Sequence, residues 1–204
     1  VVLSYKVDNL KDILIDLVQY NMIYELGHPH HPEIPHHPSH NPFLYSMSRM
    51  HGDLTYDNEV SSANDLITTG SHTGTHIDAI GHISCGGIMH NNMPVEGNQS
   101  KTAGLVEHGI DQQQPIIKRA VLLDVASCKG VPHLEAGYSI TKKDLEETIE
   151  TQNVKIQKGD AVFIRTGWSK HFDNPKRFIS KGKGTPGINL EAGRFLVEQE
   201  ISLA

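Results

Sequence analysis

Ser71-His72-Thr73-Gly74-Thr75-His76-Ile77-Asp78-Ala79-Ile80-Gly81-His82 is the stretch that decides how this chain folds and what it does. Its last eleven positions hold three histidines and one carboxylate. Apolar residues suited to an ordinary core element are scarce in it, and small residues separate the polar ones. Such a composition is typical of a segment that holds a metal ion.

The spacing restricts which backbone could bring these side chains together. On a straight strand, His72 and His82 would share a face but lie roughly 33 Å apart, too far for one site. A helix is also disfavoured, because residues 73–75 are weak helix formers. We therefore expect a bend at Gly74 that brings His72 beside His76, and a second bend at the glycine before His82.

The residue types in this bent stretch suggest a role for each. His72, His76 and Asp78 are predicted ligands of a divalent metal, with Ile77 turned towards the core. Neutral imidazole and carboxylate suit Zn²⁺, Mn²⁺ or Fe²⁺, and we expect Zn²⁺, with Mn²⁺ as the alternative. Three ligands leave positions open for water and substrate. His82 is the predicted general acid and base, because imidazole titrates near neutral pH. The competing interpretation is four ordinary surface or hydrogen-bonded core residues.

Length and composition set the outer limits. The chain has 204 residues, of which 37% are hydrophobic, which suits one domain with a sizeable core. Its net charge of −6 argues against nucleic acid or an anionic membrane as a partner. No apolar run approaches the length of a membrane span. Cys85 and Cys128 could pair, but a domain of this size needs no disulfide and no secretory leader is visible. We expect a reduced, cytoplasmic protein that acts on a small molecule.

Hydrophobic periodicity predicts alternating helices and strands. Helices are expected over 8–19, after a cap at Thr141, and over 189–197, the last with Leu190, Phe195 and Leu196 facing inward. Strands are expected over 24–26, 66–69, 120–126 and 161–165, and from residue 201. The run over 120–126 is almost entirely apolar and should be buried on both faces. This order of elements indicates a mixed α/β domain.

Two further features leave their interpretation open. Residues 28–42 carry six histidines and five prolines, which is typical of a loop, and this loop either lies on the surface or binds metal. Arg165 and Trp168 could contact substrate, or could form an ion pair and a packed indole. Cys85 and His90 are weaker candidates for positions in a pocket.

The stretch from His72 to Asp78, followed by His82, resembles the signature of the metal-dependent cyclase family. That family includes bacterial kynurenine formamidases, isatin hydrolases and related amide, ester or lactone hydrolases. Residues 24–29, 121–125, 159–168 and 186–188 resemble it as well, so the likeness covers most of the chain. Ile80 departs from the pattern, which often has proline at this position.

The resemblance implies a swivelling β/β/α fold, with a mixed sheet curled partly into a barrel and the metal at one end. It implies the same roles for His72, His76, Asp78 and His82, a homo-oligomer (dimer or tetramer), and a place for the loop over 28–42 in the substrate pocket. In the family, a further strand and C-terminal segment supply another His and a Glu. No positions here match them, so we expect 1–204 to be one cyclase-like domain that lacks those parts.

The predicted function is metal-assisted hydrolysis of a small amide, N-formyl amide, cyclic amide or lactone. Two alternatives stay open. A cyclase or lyase would use the same metal and the same histidine to remove a proton beside a carbonyl group. A catalytically silent relative would bind metal or a partner protein without turnover.

Overall fold

The computed structural model of the protein describes residues 23–204. They divide into two compact units, one comprising Thr75–Ile117 and the other the described residues up to Gly74 together with Lys118–Ala204. The helix predicted over 8–19 lies outside the described residues. The expectation of a single domain over 1–204 stays a prediction.

Ten short strands and four α-helices are assigned within residues 23–204. In chain order the strands are β1 (Leu44–Arg49), β2 (Asn64–Thr68), β3 (Ile88–Met89), β4 (Met93–Pro94), β5 (Gln99–Ser100), β6 (Gly104–Leu105), β7 (Ala120–Leu123), β8 (Ser139–Ile140), β9 (Ala161–Ile164) and β10 (Gly187–Ile188). The helices are α1 (Val125–Cys128), α2 (Lys142–Gln152), α3 (Pro175–Ile179) and α4 (Leu190–Glu198). The predicted mixed α/β class is confirmed, whereas residues 24–26 do not form the predicted strand.

The strands pair in twos. β7 with β9 and β8 with β10 are parallel, while β1 with β2, β3 with β4, and β5 with β6 are antiparallel. Within the described residues no sheet exceeds two named strands, so the partly barrel-like sheet is not confirmed. Leu203 forms a parallel bridge with Ala161, which agrees with the strand predicted from residue 201. None of the helices in this part of the chain has the length and apolarity needed to cross a membrane.

The core of the larger unit lies on one face of the β7–β9 pair. Val121 and Val162 oppose each other in register and are buried, together with residues of α2 and α4. Leu122 and Phe163 form the next opposed pair, on the other face, and are 51% and 42% exposed. The prediction of burial on both faces over 120–126 is therefore wrong, because side chains alternate and the helices of this unit cover one side.

The outward edge of β7 is occupied by a side chain. The Gln152 side-chain NH₂ group donates to the carbonyl oxygen of Leu122 at 2.9 Å, and its Oε1 accepts from the backbone N–H of Asp124 at 2.7 Å. One amide thus meets both an acceptor and a donor on that edge, as a neighbouring strand would. Because Gln152 ends α2, the helix and the strand edge are linked directly.

The helices begin where their capping residues predict. Thr141 accepts from the backbone N–H of Asp144 and Asp144 accepts from that of Thr141, which is a complete capping box for α2. Asn189 caps α4 in the same way, by accepting from Ala192. Phe195 and Leu196 of α4 are buried as predicted.

One residue of α4 departs from the prediction. Leu190 is 69% exposed, so the expectation that it faces inward is wrong. It is the first residue of the helix, where the chain has just left the cap and the packed face has not yet begun.

β1 and β2 form an antiparallel ribbon that leads into the motif. Leu44 opposes Thr68, and a bulge lies between Met47 and Arg49. At the open end of the ribbon, the backbone N–H of Gly70 donates to the carbonyl oxygen of Asn41 at 3.3 Å. This bond holds the end of the histidine-rich loop beside the residues that precede His72.

Candidate metal centre

The chain bends at Gly74 as predicted, whereas the approach of His72 to His76 that this bend was expected to produce stays a prediction. Gly74 has φ +65°, a conformation that favours glycine. A Cβ atom added there would lie 2.9 Å from His30 Nε2 and 3.2 Å from Ile34 Cδ1. The preceding residue, Thr73, is 2% exposed, so the chain is tightly packed immediately before the bend.

The second bend precedes His82 and has a different cause. Residues Ile80–His82 form a short 3₁₀ turn in which Gly81 donates its N–H to the carbonyl oxygen of His108 at 3.1 Å. A Cβ atom on Gly81 would lie 2.6 Å from Leu105 Cδ1 and 2.9 Å from the His108 carbonyl oxygen. Glycine is therefore required here by close approach of the chain, not by a left-handed backbone.

The loop that contains His108 is itself held by internal hydrogen bonds. His108 has φ +63°, and its backbone N–H donates to Gln112 Oε1 at 3.1 Å. The Gln112 amide donates in turn to the carbonyl oxygen of Val106 at 2.6 Å. Asn98, 5% exposed, accepts from the backbone N–H of Glu107 at 2.8 Å and donates to its carbonyl oxygen at 3.3 Å. These bonds fix the carbonyl group against which the turn before His82 is held.

His72, Asp78 and His82 form a group that could hold a metal ion. Each offers one ligand atom, and these atoms lie within 4.8 Å of one another. His76 stands outside this group, with its Nε2 3.3 Å from Asp78 Oδ1. Imidazole nitrogens with a carboxylate oxygen are a donor set that fits Zn²⁺ or Mn²⁺. The residues therefore fit a divalent ion, and the separate roles given to the four residues stay predictions.

One detail of the predicted motif is wrong. Ile77 does not turn into a core, since it is 41% exposed. Thr73 takes the buried position in this stretch instead, five residues before Asp78. Burial was predicted for Ile77 because it has more apolar area than Thr73, and burial usually follows apolar area.

Arg165 and Trp168 have structural partners within their own unit. Arg165 donates from Nη1 to Asp124 Oδ1 at 2.7 Å. Trp168 is 7% exposed and donates its indole N–H to the carbonyl oxygen of Phe178 at 2.8 Å. Burial alone would raise the pKa of Asp124, but hydrogen bonds from Ser127 and Arg165 lower it overall. The interpretation as an ion pair and a packed indole is the one these contacts favour.

The remaining candidates are placed as follows. Cys85 and Cys128 are both free thiols. His90 packs its ring against that of His108, with the centroids 5.9 Å apart, and its carbonyl oxygen lies 3.2 Å from His108 Nε2. His90 thus supports the loop that fixes the turn before His82.

Sequence reasoning missed one neighbour of the motif. His40 packs its ring beside that of His72, with 5.4 Å between the centroids. Thirty-two positions separate the two residues, and the hydrogen bond between Gly70 and Asn41 joins the two segments that carry them. The available signal was the density of histidines over 28–42, which gave no indication of which ring would reach the motif.

Comparison with known proteins gives a family and several solved relatives. The Cyclase family model matches residues 24–204, which is most of the chain. No curated protein matches. The crystal structure of a novel cyclase is similar with 25% identity and a TM-score of 0.78, over 88% of this chain and 62% of that chain.

Two isatin hydrolases share the fold. Isatin hydrolase A from Ralstonia solanacearum is 22% identical with a TM-score of 0.65, over 98% of this chain and 72% of that chain. Isatin hydrolase A from Labrenzia aggregata, bound to benzyl benzoate, is 20% identical with a TM-score of 0.62, over 94% and 70%. This chain thus spans less than two thirds of the novel cyclase and about 70% of each isatin hydrolase. Since the family model covers the motif and the elements on both sides of it, the chain belongs to the Cyclase family.

Proposed function

We propose that this protein is a metal-dependent hydrolase that cleaves a small amide, N-formyl amide, cyclic amide or lactone. The observation that carries the proposal is the approach of the His72, Asp78 and His82 ligand atoms to within 4.8 Å of one another. Membership of the Cyclase family and the fold shared with isatin hydrolases support it.

In this proposal His72, His76 and Asp78 hold the ion. A bound divalent metal would supply an acidic water and polarise the substrate carbonyl group. His76 lies beside Asp78, with its Nε2 3.3 Å from Asp78 Oδ1, and so is next to another proposed ligand of the ion. Zn²⁺ is the preferred ion because imidazole and carboxylate are its common ligands in hydrolytic sites.

His82 moves the proton. Its imidazole takes a proton from the attacking water and returns it to the leaving nitrogen or oxygen, so the hydrolysis balances without any other reagent. The 3₁₀ turn over Ile80–His82 ends at this residue and is held by the Gly81–His108 hydrogen bond. Positioning by the backbone suits a general acid and base, since proton transfer requires a short, fixed distance.

The chemistry of the site and the fold shared with isatin hydrolases support this substrate class. Asp78 and His76 are 51% and 32% exposed in their side chains, so a small carbonyl compound can reach them. Isatin is itself a cyclic amide, and the shared fold makes N-formyl amides, cyclic amides and lactones the first compounds to screen. We also propose a cytoplasmic homo-oligomer that requires no nucleic acid and no membrane.

The test is the variant His82→Gln, assayed with Zn²⁺ or Mn²⁺ against formamide, isatin-like and lactone substrates. We expect unchanged metal content by mass spectrometry and a loss of about 10²–10⁴-fold in kcat, the usual contribution of general acid–base catalysis. Full activity in this variant would remove His82 from the proposed role. Loss of metal together with activity would make it a ligand instead.

A cyclase or lyase activity is the second candidate, favoured by the family to which the chain belongs. It would use the same residues to remove a proton beside a carbonyl group and would not consume water. Reaction in ¹⁸O-labelled water separates the two, because hydrolysis places the label in the product. If no substrate turns over while metal still binds, the silent relative becomes the favoured interpretation.

A further inference from the structure

The histidine-rich loop contacts the start of the motif at two points, one on each side of His72. Before this residue, the backbone N–H of Gly70 donates to the carbonyl oxygen of Asn41 at 3.3 Å, and a Cβ atom added to Gly70 would lie 3.3 Å from the same oxygen. After it, a Cβ atom added to Gly74 would lie 2.9 Å from His30 Nε2. Both points belong to the larger unit. The segment between the two glycines is therefore closely packed against the loop at both ends.

The loop is itself anchored in a small core. Ile34 and Phe43 are buried and cluster with the buried Phe172. His28 stacks on Phe172 with ring centroids 3.7 Å apart and the ring planes inclined by only 9°. His30 meets Phe43 edge-on at 5.9 Å. The side chains with which the loop meets the motif are thus carried by a packed segment, although its composition predicts an irregular surface loop.

His40 is the loop residue whose ring lies beside that of His72. The centroids are 5.4 Å apart and the planes are tilted by 43°. The backbone of His40 is fixed on both sides. Its N–H donates to the carbonyl oxygen of His37 at 2.9 Å, in a turn whose second residue is proline, and the next residue, Asn41, accepts from Gly70. A ring held in this way limits the rotation of the imidazole beside it.

Hydrogen bonding at Nδ1 does not explain why His40 occupies this position. Its Nδ1 is inaccessible to solvent and, among the described residues, has no hydrogen-bond partner. A buried polar atom left in this state is destabilising, and an apolar group of the same shape would avoid the cost. The flat ring, and not this nitrogen, is therefore the part of His40 that suits its surroundings.

We propose that His40 is a positioning residue for the metal centre, whose ring holds the imidazole of His72 in the orientation in which it meets the ion. The inference rests on the proposed function, in which His72 is a metal ligand. A ligand that is ordered before the ion arrives loses less side-chain freedom on binding, so the ion is held more tightly. The histidine-rich loop then serves the site as a support for its first ligand.

The first experiment measures zinc affinity. The whole chain, purified without a metal-chelating column and stripped with EDTA, is titrated with Zn²⁺ in competition with a chromophoric chelator. Binding that is lost in His72→Ala is counted as binding by the motif. We expect His40→Ala to weaken this binding by about 10–100-fold, the usual effect of removing a group that orients a metal ligand. His40→Phe keeps a flat ring and removes both nitrogens, so it should bind zinc as the wild type does.

The matched control is His36→Ala. His36 is a half-buried histidine of the same loop, and its Nδ1 lies 3.3 Å from a carbonyl oxygen within the loop. This variant should keep the zinc affinity of the wild type. Equal weakening in His36→Ala and His40→Ala would overturn the proposal, and so would a loss in His40→Phe as large as that in His40→Ala, since His40 would then act through a nitrogen.

The second experiment needs no metal. Carbon-13 relaxation of the histidine rings in the metal-free protein reports how ordered His72 is, and its signal is assigned by its absence from His72→Ala. We expect the order parameter of this ring to fall in His40→Ala and to be retained in His40→Phe and His36→Ala. An unchanged order parameter in His40→Ala would overturn the proposal whether or not zinc binds.

The two experiments separate this proposal from the proposed function. If no zinc binding in the wild type depends on His72, the proposed function fails, and the relaxation measurement alone decides whether His40 positions that ring. Circular dichroism and thermal unfolding establish that each variant is folded. If His40→Ala does not fold, His40→Gln, which removes the ring but keeps a side chain of similar length, replaces it in both experiments with the same expected results.

Discussion

At the scale of single residues, Asp144 carries more interactions than any other carboxylate in the core of the larger unit. It is 6% exposed, accepts from the Thr141 backbone N–H at 2.8 Å and hydroxyl at 2.9 Å, and pairs with Lys129. The Tyr138 hydroxyl approaches at 3.3 Å. One side chain therefore caps α2 and neutralises a cation from the neighbouring helix region.

Replacing this carboxylate should be costly. We expect Asp144→Ala to lower the free energy of unfolding by about 3–5 kcal/mol, because it removes the cap and leaves Lys129 without its buried partner. Urea unfolding followed by circular dichroism measures the change. The control is Glu147→Gln, which removes a second, 44% exposed partner of Lys129 at 3.6 Å and should cost less than about 1 kcal/mol. Equal losses in the two variants would contradict this account.

The residue scale also shows where sequence reasoning stopped. The cap at Thr141 and the bend at Gly74 could be predicted, because both depend on neighbours within a few positions. The pairing of His40 with His72, and the burial of Thr73 in place of Ile77, could not be. Both depend on contacts between segments distant in sequence, which residue type and spacing do not specify.

At the scale of elements, the turn over Ile80–His82 depends on the glycine at its centre. We expect Gly81→Ala to reduce kcat of the proposed hydrolase by about 100-fold with metal content retained, since a misplacement of about 1 Å has that effect. The added methyl would meet Leu105 Cδ1 at 2.6 Å and a backbone oxygen at 2.9 Å, so the turn must move and carry His82 with it.

The comparison for this variant is Gly187→Ala. Gly187 has no positive φ and nothing within 4 Å of an added Cβ, so the same substitution should leave turnover within about twofold. Steady-state kinetics on both variants, with thermal unfolding as the check on folding, provide the measurement. Normal activity in Gly81→Ala would mean that the turn tolerates displacement and does not position His82.

Helices were easier to predict than strands for a physical reason. α2 and α4 carry caps and apolar residues at helical spacing, and both were predicted near their observed bounds. β1 was not predicted, because its alternation of apolar and polar residues is confined to Tyr45-Ser46-Met47-Ser48 and almost all its side chains are exposed. The apolar run over 120–126 was predicted as a strand, but the helix that begins at Val125 was not predicted. Which face of the strand stays exposed depends on tertiary packing, which the run itself does not specify.

At the scale of the whole molecule, we expect the free energy of unfolding to decrease in two steps as the pH is lowered. The first involves His171, whose pKa is lowered by burial and by the nearby Arg177 and His133. The unfolded chain then binds this proton more readily, so the contribution of His171 is present above about pH 6.5 and is lost as the pH falls below it.

The second step involves Asp144 and Asp160. Burial alone would raise the pKa of each, but hydrogen bonds and ion pairs with Lys129 and Arg119 lower both overall. Their stabilisation is present above the ordinary carboxyl pKa of about 3.9 and is lost as the pH falls further. Urea unfolding between pH 8 and pH 3 should show both steps. His171→Gln should abolish the first and keep the second, and a single step in the wild type would refute the assignment.

The amide of Gln152 on the edge of β7 has a consequence for how copies of this protein meet one another. An unpaired strand edge is a template for aggregation, and Leu122 and Phe163 add exposed apolar surface beside it. The Gln152 side chain, at the end of α2, is the group that occupies this edge. Removing it in Gln152→Ala should increase turbidity on mild warming before the native circular dichroism signal is lost. Resistance of this protein to aggregation would then depend on a side chain that has no part in the proposed hydrolysis.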